Sequence, residues 1–126
     1  MKSPKETKPK PQPKIYELEF YGKKYHIILE KNTYANNGRL AISMLECTPK
    51  GKVKDYFDTL TVNLNGYCVG KDEQFIDTNN LPSGIIEWLE ENSIGNEVNG
   101  IYGHSGYCTY PLLKFTKDAL DGMLEE

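Results

Sequence analysis

Arginine is almost missing from this chain: Arg39 stands alone among 15 basic residues, and all the others are lysine. Bidentate reading of phosphate or guanine relies on the guanidinium fork, so its scarcity counts against a nucleic-acid reader. Cysteine is scarce and odd in number, with Cys47, Cys68 and Cys108 only. That argues against a disulfide framework and for free thiols in a reducing compartment. No apolar run approaches the ~18 residues that a membrane span needs, and the N-terminus has no apolar signal region. A cytoplasmic location away from membranes is the expectation.

What the sequence does contain is enough for a core. Its 126 residues are 38% hydrophobic and include nine Tyr, four Phe and Trp88. One domain is expected at this length. Charge is divided along the chain. Residues 1–14 hold five lysines against Glu6, a net of +4, and carry Pro4, Pro9, Pro11 and Pro13 without an aromatic residue. They read as a disordered tether. Residues 15–126 then hold 10 basic and 17 acidic residues, a net of −7. An acidic globule repels phosphate backbones, so nucleic-acid binding is not expected of the folded part.

The hydrophobic pattern predicts an α+β domain over 15–126. Tyr16, Leu18 and Phe20 alternate with Glu17, Glu19 and Tyr21, as in a half-buried strand. A turn at Gly22-Lys23 joins it to a second strand, Lys24 to Glu30. Strands are also expected at Leu40 to Cys47 and at Tyr56 to Leu64, with Thr59, Thr61 and Asn63 on the wet side of the latter. Short connections favour an antiparallel meander of four to six strands. Gln74 to Asp77 reads as a short edge strand, and Asn79 to Pro82 as the start of a helix. In that helix Ile85, Ile86, Trp88 and Leu89 form the apolar side and Glu87, Glu90 and Glu91 the wet one. Gly95 to Gly106 reads as irregular. Tyr107 to Phe115 reads as extended, with Pro111 demoting it to an edge or bulged strand. Thr116 is placed to cap a second helix, with Phe115 and Leu120 at the spacing of a hydrophobic staple.

The densest concentration of unusual residues is Gly100 to Cys108. Ser105 lacks the Gly-x-Ser-x-Gly frame of a hydrolase elbow, and Gly100, Gly103 and Gly106 fit no phosphate-loop spacing. His104 and Cys108 offer one potential zinc pair, but the other cysteines lie far away in sequence. No metal or cofactor site is assigned, and buried structural thiols are the simpler reading of Cys47, Cys68 and Cys108. A Cys–His nucleophile would need Cys108 beside His26 or His104. Tyr102, Tyr107 and Tyr110, set among small polar residues, suit a recognition surface. A second loop, Asn32 to Arg39, adds Tyr34 and the lone guanidinium. If the two loops converge, Arg39, His104 and Ser105 could line a polar pocket for an anion. The acidic helix face reads first as solvated charge.

Three phrases carry a family resemblance: Tyr34-Ala-Asn-Asn-Gly-Arg-Leu-Ala-Ile42, Leu60-Thr-Val-Asn-Leu64 and Ser105-Gly-Tyr-Cys-Thr-Tyr-Pro-Leu112. Over about residues 15–115 the chain resembles a domain-of-unknown-function family of small proteins from phages, conjugative elements and low-GC or gut anaerobic bacteria. The resemblance implies an accessory role in mobile-element biology and brings no catalytic residues with it. The leading expectation is therefore a non-enzymatic binding protein that meets a protein partner through Tyr34, Tyr102, Tyr107 and Tyr110. The alternative is a binder of a small nucleotide-like anion, and a third reading is an enzyme using Cys108 or Ser105.

Overall fold

The computed structural model describes residues 12–125. Most of the expected tether at 1–14 lies outside the described residues. At Lys14 the backbone already touches the domain: its N–H donates to the Gly122 carbonyl at 3.0 Å.

β1 (Ile15–Phe20) and β2 (Lys23–Thr33) form the expected hairpin. Its turn sits one residue earlier than the pattern suggests. Tyr21 and Gly22 both have positive φ, 54° and 77°, as a type I′ turn requires. β3 (Leu40–Cys47) follows antiparallel to β2, and β4 (Val53–Thr59) closes the sheet with two register shifts. β9 (Leu124–Glu125) adds in parallel to Glu30 and Lys31 of β2, just past Ile28, the last β2 residue paired with β1.

The single meander gives way to two sheets at Leu60. The pattern reads Tyr56 to Leu64 as one strand, but the Leu60 N–H donates to the Ile42 carbonyl while the Leu60 carbonyl accepts from the Asp77 N–H, at 2.9 and 3.0 Å. One residue thus bridges both sheets, and the backbone then enters the second as β5 (Thr61–Val62). Thr61, expected on the wet side, is buried at 4% exposure. Its Oγ1 accepts from the Ile42 N–H at 3.1 Å and hydrogen-bonds the Tyr34 hydroxyl at 2.9 Å. A hydroxyl standing in for a strand partner is why its polarity misleads.

The second sheet runs β5-β6-β8-β7, with β6 (Glu73–Ile76), β7 (Gly95–Ser105) and β8 (Cys108–Phe115). β6 is an interior strand, not the edge expected from its sequence, and β8, expected as an edge or bulged strand, is interior with an irregular ladder to β7. Pro111 is accommodated because it lies beyond the last β6–β8 pair, Phe75↔Leu112, and beside a bulge in β7. The segment expected to be irregular is β7 itself. Its register jumps from Glu97↔Leu113 to Tyr102↔Pro111, leaving Val98–Ile101 without strand partners.

Between the sheets lies the main core, with Tyr16, Leu18, Ile27, Leu29, Ile42 and Met44 from the first facing Ile76, Leu113 and Phe115 from the second. Gln74, fully buried, spans the gap and donates from Nε2 to the Leu40 carbonyl at 3.0 Å. α1 (Ile85–Glu91) adds Ile85, Trp88 and Leu89 to this core. It begins after Gly84, which has φ 84°, so the helix starts beyond the expected Asn79–Pro82 stretch. α2 (Lys117–Asp121) is capped as expected, the Ala119 N–H donating to Thr116 Oγ1 at 3.1 Å. The result is α+β with few helices: of the described residues 52% are strand and 11% helix, the strands mostly antiparallel. Among the described residues no helix is long and apolar enough to cross a membrane.

Candidate functional site: the β7–β8 hairpin

The hairpin is built around a two-residue turn. Ser105 pairs with Cys108, leaving Gly106 and Tyr107 at the tip. Gly106 has φ 59° while Tyr107 is not in the positive-φ region, the pattern of a type II′ turn with glycine first. Tyr107 is fully exposed, and Ile101 and Tyr102 are 45% and 46% exposed on β7. A large aromatic ring wholly in water at the tip of a strand pair is not explained by packing.

Below the tip the hairpin is anchored. Leu64, Phe75 and Leu112 form a second buried cluster, against which Tyr67, Val98 and Tyr110 pack. Gly103 allows this approach. A Cβ there would stand 2.4 Å from Leu64 Cδ1 and 2.9 Å from Phe75 Cε1. The Tyr67 hydroxyl accepts from the His104 N–H at 2.9 Å, tying the 63–70 loop to β7.

Side chains alternate across a strand, so the register sorts the expected site residues. His104 sits opposite Thr109 and Tyr102 opposite Pro111, on one face. Ser105 and Cys108 sit opposite each other, with Tyr110, on the other face. His104 and Cys108 therefore do not form the zinc or nucleophile pair. His104 Nδ1 instead lies 3.1 Å from Thr109 Oγ1. His26 faces Cys47 in register, not Cys108. Tyr102 donates to Glu97 Oε2 at 3.3 Å. The Tyr110 phenol is pushed above its usual range, first by its hydrogen bond with the Cys108 thiol and then by burial.

Tyr34 and Arg39 belong to a neighbouring structure. Besides Thr61 Oγ1, the Tyr34 hydroxyl reaches the Thr61 carbonyl at 3.3 Å, and Arg39 Nη1 donates to the Leu64 carbonyl at 2.9 Å. Asn36 and Asn37 share amide hydrogen bonds of 3.1 Å with Asn63 and Asn65. The 34–39 turn and the hairpin are thus both braced by residues 61–67, which join them. Arg39 holds a backbone carbonyl in place rather than standing free for an anion.

The cysteines differ from the buried set expected. Cys47 is buried, Cys108 half-buried and Cys68 exposed. Burial, reinforced by Glu46 and opposed by Lys54, pushes the Cys47 thiol up, so its nucleophilic thiolate is scarce. A thiol reagent should therefore modify Cys68 fastest and Cys47 last in the native protein. Mass analysis of timed, quenched samples checks the order.

Sequence reasoning overlooked Ile101, Tyr67 and Glu90. Glu90 Oε2 accepts from the Glu97 N–H at 3.1 Å. With Tyr67 on the His104 N–H, two backbone donors of edge strand β7 already have side-chain partners. The bulge further interrupts that edge, a recognised defence against strand addition. At the edge of the first sheet, Asp55 and Asp58 likewise accept from the backbone N–H groups of Tyr56 and Thr59, both at 2.8 Å. Tyr67 reaches its position only through a contact 37 residues away in sequence, and Glu90 through the α1–β7 connection; an apolar Ile101 inside a Gly/Asn-rich stretch was the one available signal.

A family profile for a domain of unknown function, DUF4313, matches residues 28–126. Comparison with curated proteins finds no match, and neither does comparison with solved structures.

Proposed function

The chain belongs to the DUF4313 family of unknown function, and within it we propose a non-enzymatic binding protein that engages a protein partner through the β7–β8 hairpin. The observation that carries this reading is Tyr107, fully exposed at the tip of an anchored hairpin. Exposed aromatic rings held by a packed base contribute contact area at little conformational-entropy cost. Tyr102 and Ile101 extend the surface along β7. Because β7 donors are already bonded to Glu90 and Tyr67, recognition rests on side chains rather than on an added strand. Of the other tyrosines considered from the sequence, Tyr110 packs on the cluster that anchors the hairpin, and Tyr34 bonds Thr61 in the neighbouring turn. The resemblance to families of mobile elements suggests the setting: an accessory or anti-defence factor acting on a host protein.

Tyr107→Ala should leave thermal stability unchanged, because the ring touches solvent alone, yet weaken partner capture strongly. Truncating a central aromatic contact commonly costs about 2 kcal/mol or more of binding, roughly a thirtyfold loss of affinity. Quantitative pull-down from host lysate, comparing wild type with Tyr107→Ala and Tyr102→Ala, measures this. Capture of the same partners at the same yield by all three proteins would remove the hairpin from the account.

A further inference from the structure

The sequence holds three Asn-Gly pairs, Asn37-Gly38, Asn65-Gly66 and Asn99-Gly100. Such pairs are open to a spontaneous reaction. The glycine backbone nitrogen, losing its proton, attacks the asparagine Cγ; a new C–N bond closes a succinimide ring, and the Cγ–Nδ2 bond breaks to release ammonia. Water then opens the ring at either carbonyl, giving aspartate or isoaspartate. By sequence the three pairs are equivalent, since each places the unhindered glycine nitrogen next to the amide. We propose that the fold selects Asn99 as the site of this modification and shields Asn37.

At Asn37 both reacting groups are held. Its Nδ2 donates to Asn63 Oδ1 and Asn65 Oδ1, each at 3.1 Å, and its Oδ1 accepts from the Arg39 N–H at 3.1 Å. The attacking nitrogen, that of Gly38, donates to the Tyr34 carbonyl at 2.8 Å. Asn65 is held at one end only, its Oδ1 accepting from Asn36 and Asn37. Asn99 lies in the β7 bulge, where the backbone has no strand partner in register. Its exposed amide makes no hydrogen bond among the described residues, and Gly100 has open space within 4 Å of where a Cβ would be. No side-chain hydrogen bond of Asn99 therefore has to break before its amide can approach the Gly100 nitrogen. The product places a new carboxylate, or an extra backbone methylene, beside Ile101 and Tyr102.

The test is peptide mapping by mass spectrometry of the full-length protein, incubated natively in mildly alkaline buffer and, in parallel, in urea. In the native sample conversion at Asn99 should exceed that at Asn37 by roughly tenfold or more, the protection expected when several hydrogen bonds must break first. Asn65 should fall between them, and in urea the three rates should converge. Asn99→Gln should abolish conversion in that peptide while leaving the other two rates unchanged, showing that the signal is assigned correctly. Equal native rates at Asn37 and Asn99 would overturn the proposal. So would an Asn99 that stays intact in the native protein while converting in urea.

Discussion

Trp88→Ala should lower the free energy of unfolding by about 3–5 kcal/mol, the range for removing a large buried aromatic ring. Trp88 is 9% exposed and meets Tyr16 edge-on, with ring centroids 5.9 Å apart. Its Nε1 donates to the Glu17 carbonyl at 2.7 Å. The substitution therefore opens a cavity between β1 and α1 and leaves a backbone acceptor without its partner, two costs that add. For a domain whose whole stability is about 5–15 kcal/mol, that is enough to leave the fold marginal. Trp88→Phe keeps much of the ring but not the donor, and should cost less, about 1–3 kcal/mol. Urea denaturation of the three proteins measures both steps. A loss below about 1 kcal/mol for the alanine variant would mean that α1 docks independently of β1. The result matters for the family too, because β1 lies before the matched residues 28–126 yet supplies Tyr16 and Leu18 to the main core.

The second large effect is expected at Gly95, where β7 begins. A Cβ there would lie 2.6 Å from Leu113 Cδ2 and 2.7 Å from the Lys114 carbonyl oxygen. The leucine could rotate, but the carbonyl belongs to the β7–β8 ladder and cannot move without disturbing it. Gly95→Ala should therefore destabilise by about 3 kcal/mol, the upper part of the usual overpacking range. Gly103→Ala is the informative comparison. Its nearest clash, with Leu64 Cδ1, involves the far end of a flexible side chain, so its cost should be smaller, about 1–2 kcal/mol. Thermal melts of the two variants give the order. If Gly103→Ala proves the more damaging, the second cluster around Phe75 is stiffer than the strand ladder at Gly95.

Local patterns were read correctly where the partners of a segment lie close in sequence. The β1–β2 hairpin, β3, the Thr116 cap and the acidic outer face of α1 all follow from spacing within a few residues. The hairpin turn moved by one residue because positive φ at Tyr21 is uncommon for a non-glycine residue, and composition alone favours the Gly22-Lys23 position. The β7 segment was noticed for its tyrosines and glycines but misread as a loop. A strand broken by a bulge, with Gly100 and Gly103 inside it, loses the alternation by which a strand is recognised. Arg39 looked freer than it is for a related reason: its carbonyl partner at Leu64 is 25 residues away.

By itself the sequence determined the chemistry available to this protein: a mostly lysine-based cationic set, an acidic domain large enough for a core, period-two strands, and a cluster of tyrosines among small polar residues. These depend on composition and on neighbours within one turn or hairpin, where local backbone geometry fixes what can meet. Only the tertiary structure decided how that chemistry is distributed. It split one apparent strand at Leu60 between two sheets and turned an irregular stretch into β7. It put Tyr102 and Ser105 on opposite faces, bound Arg39 to a carbonyl and left Tyr107 alone in water. Each of these outcomes depends on which distant segment satisfies a backbone group or fills a cavity, and that is settled by the packing of the whole molecule.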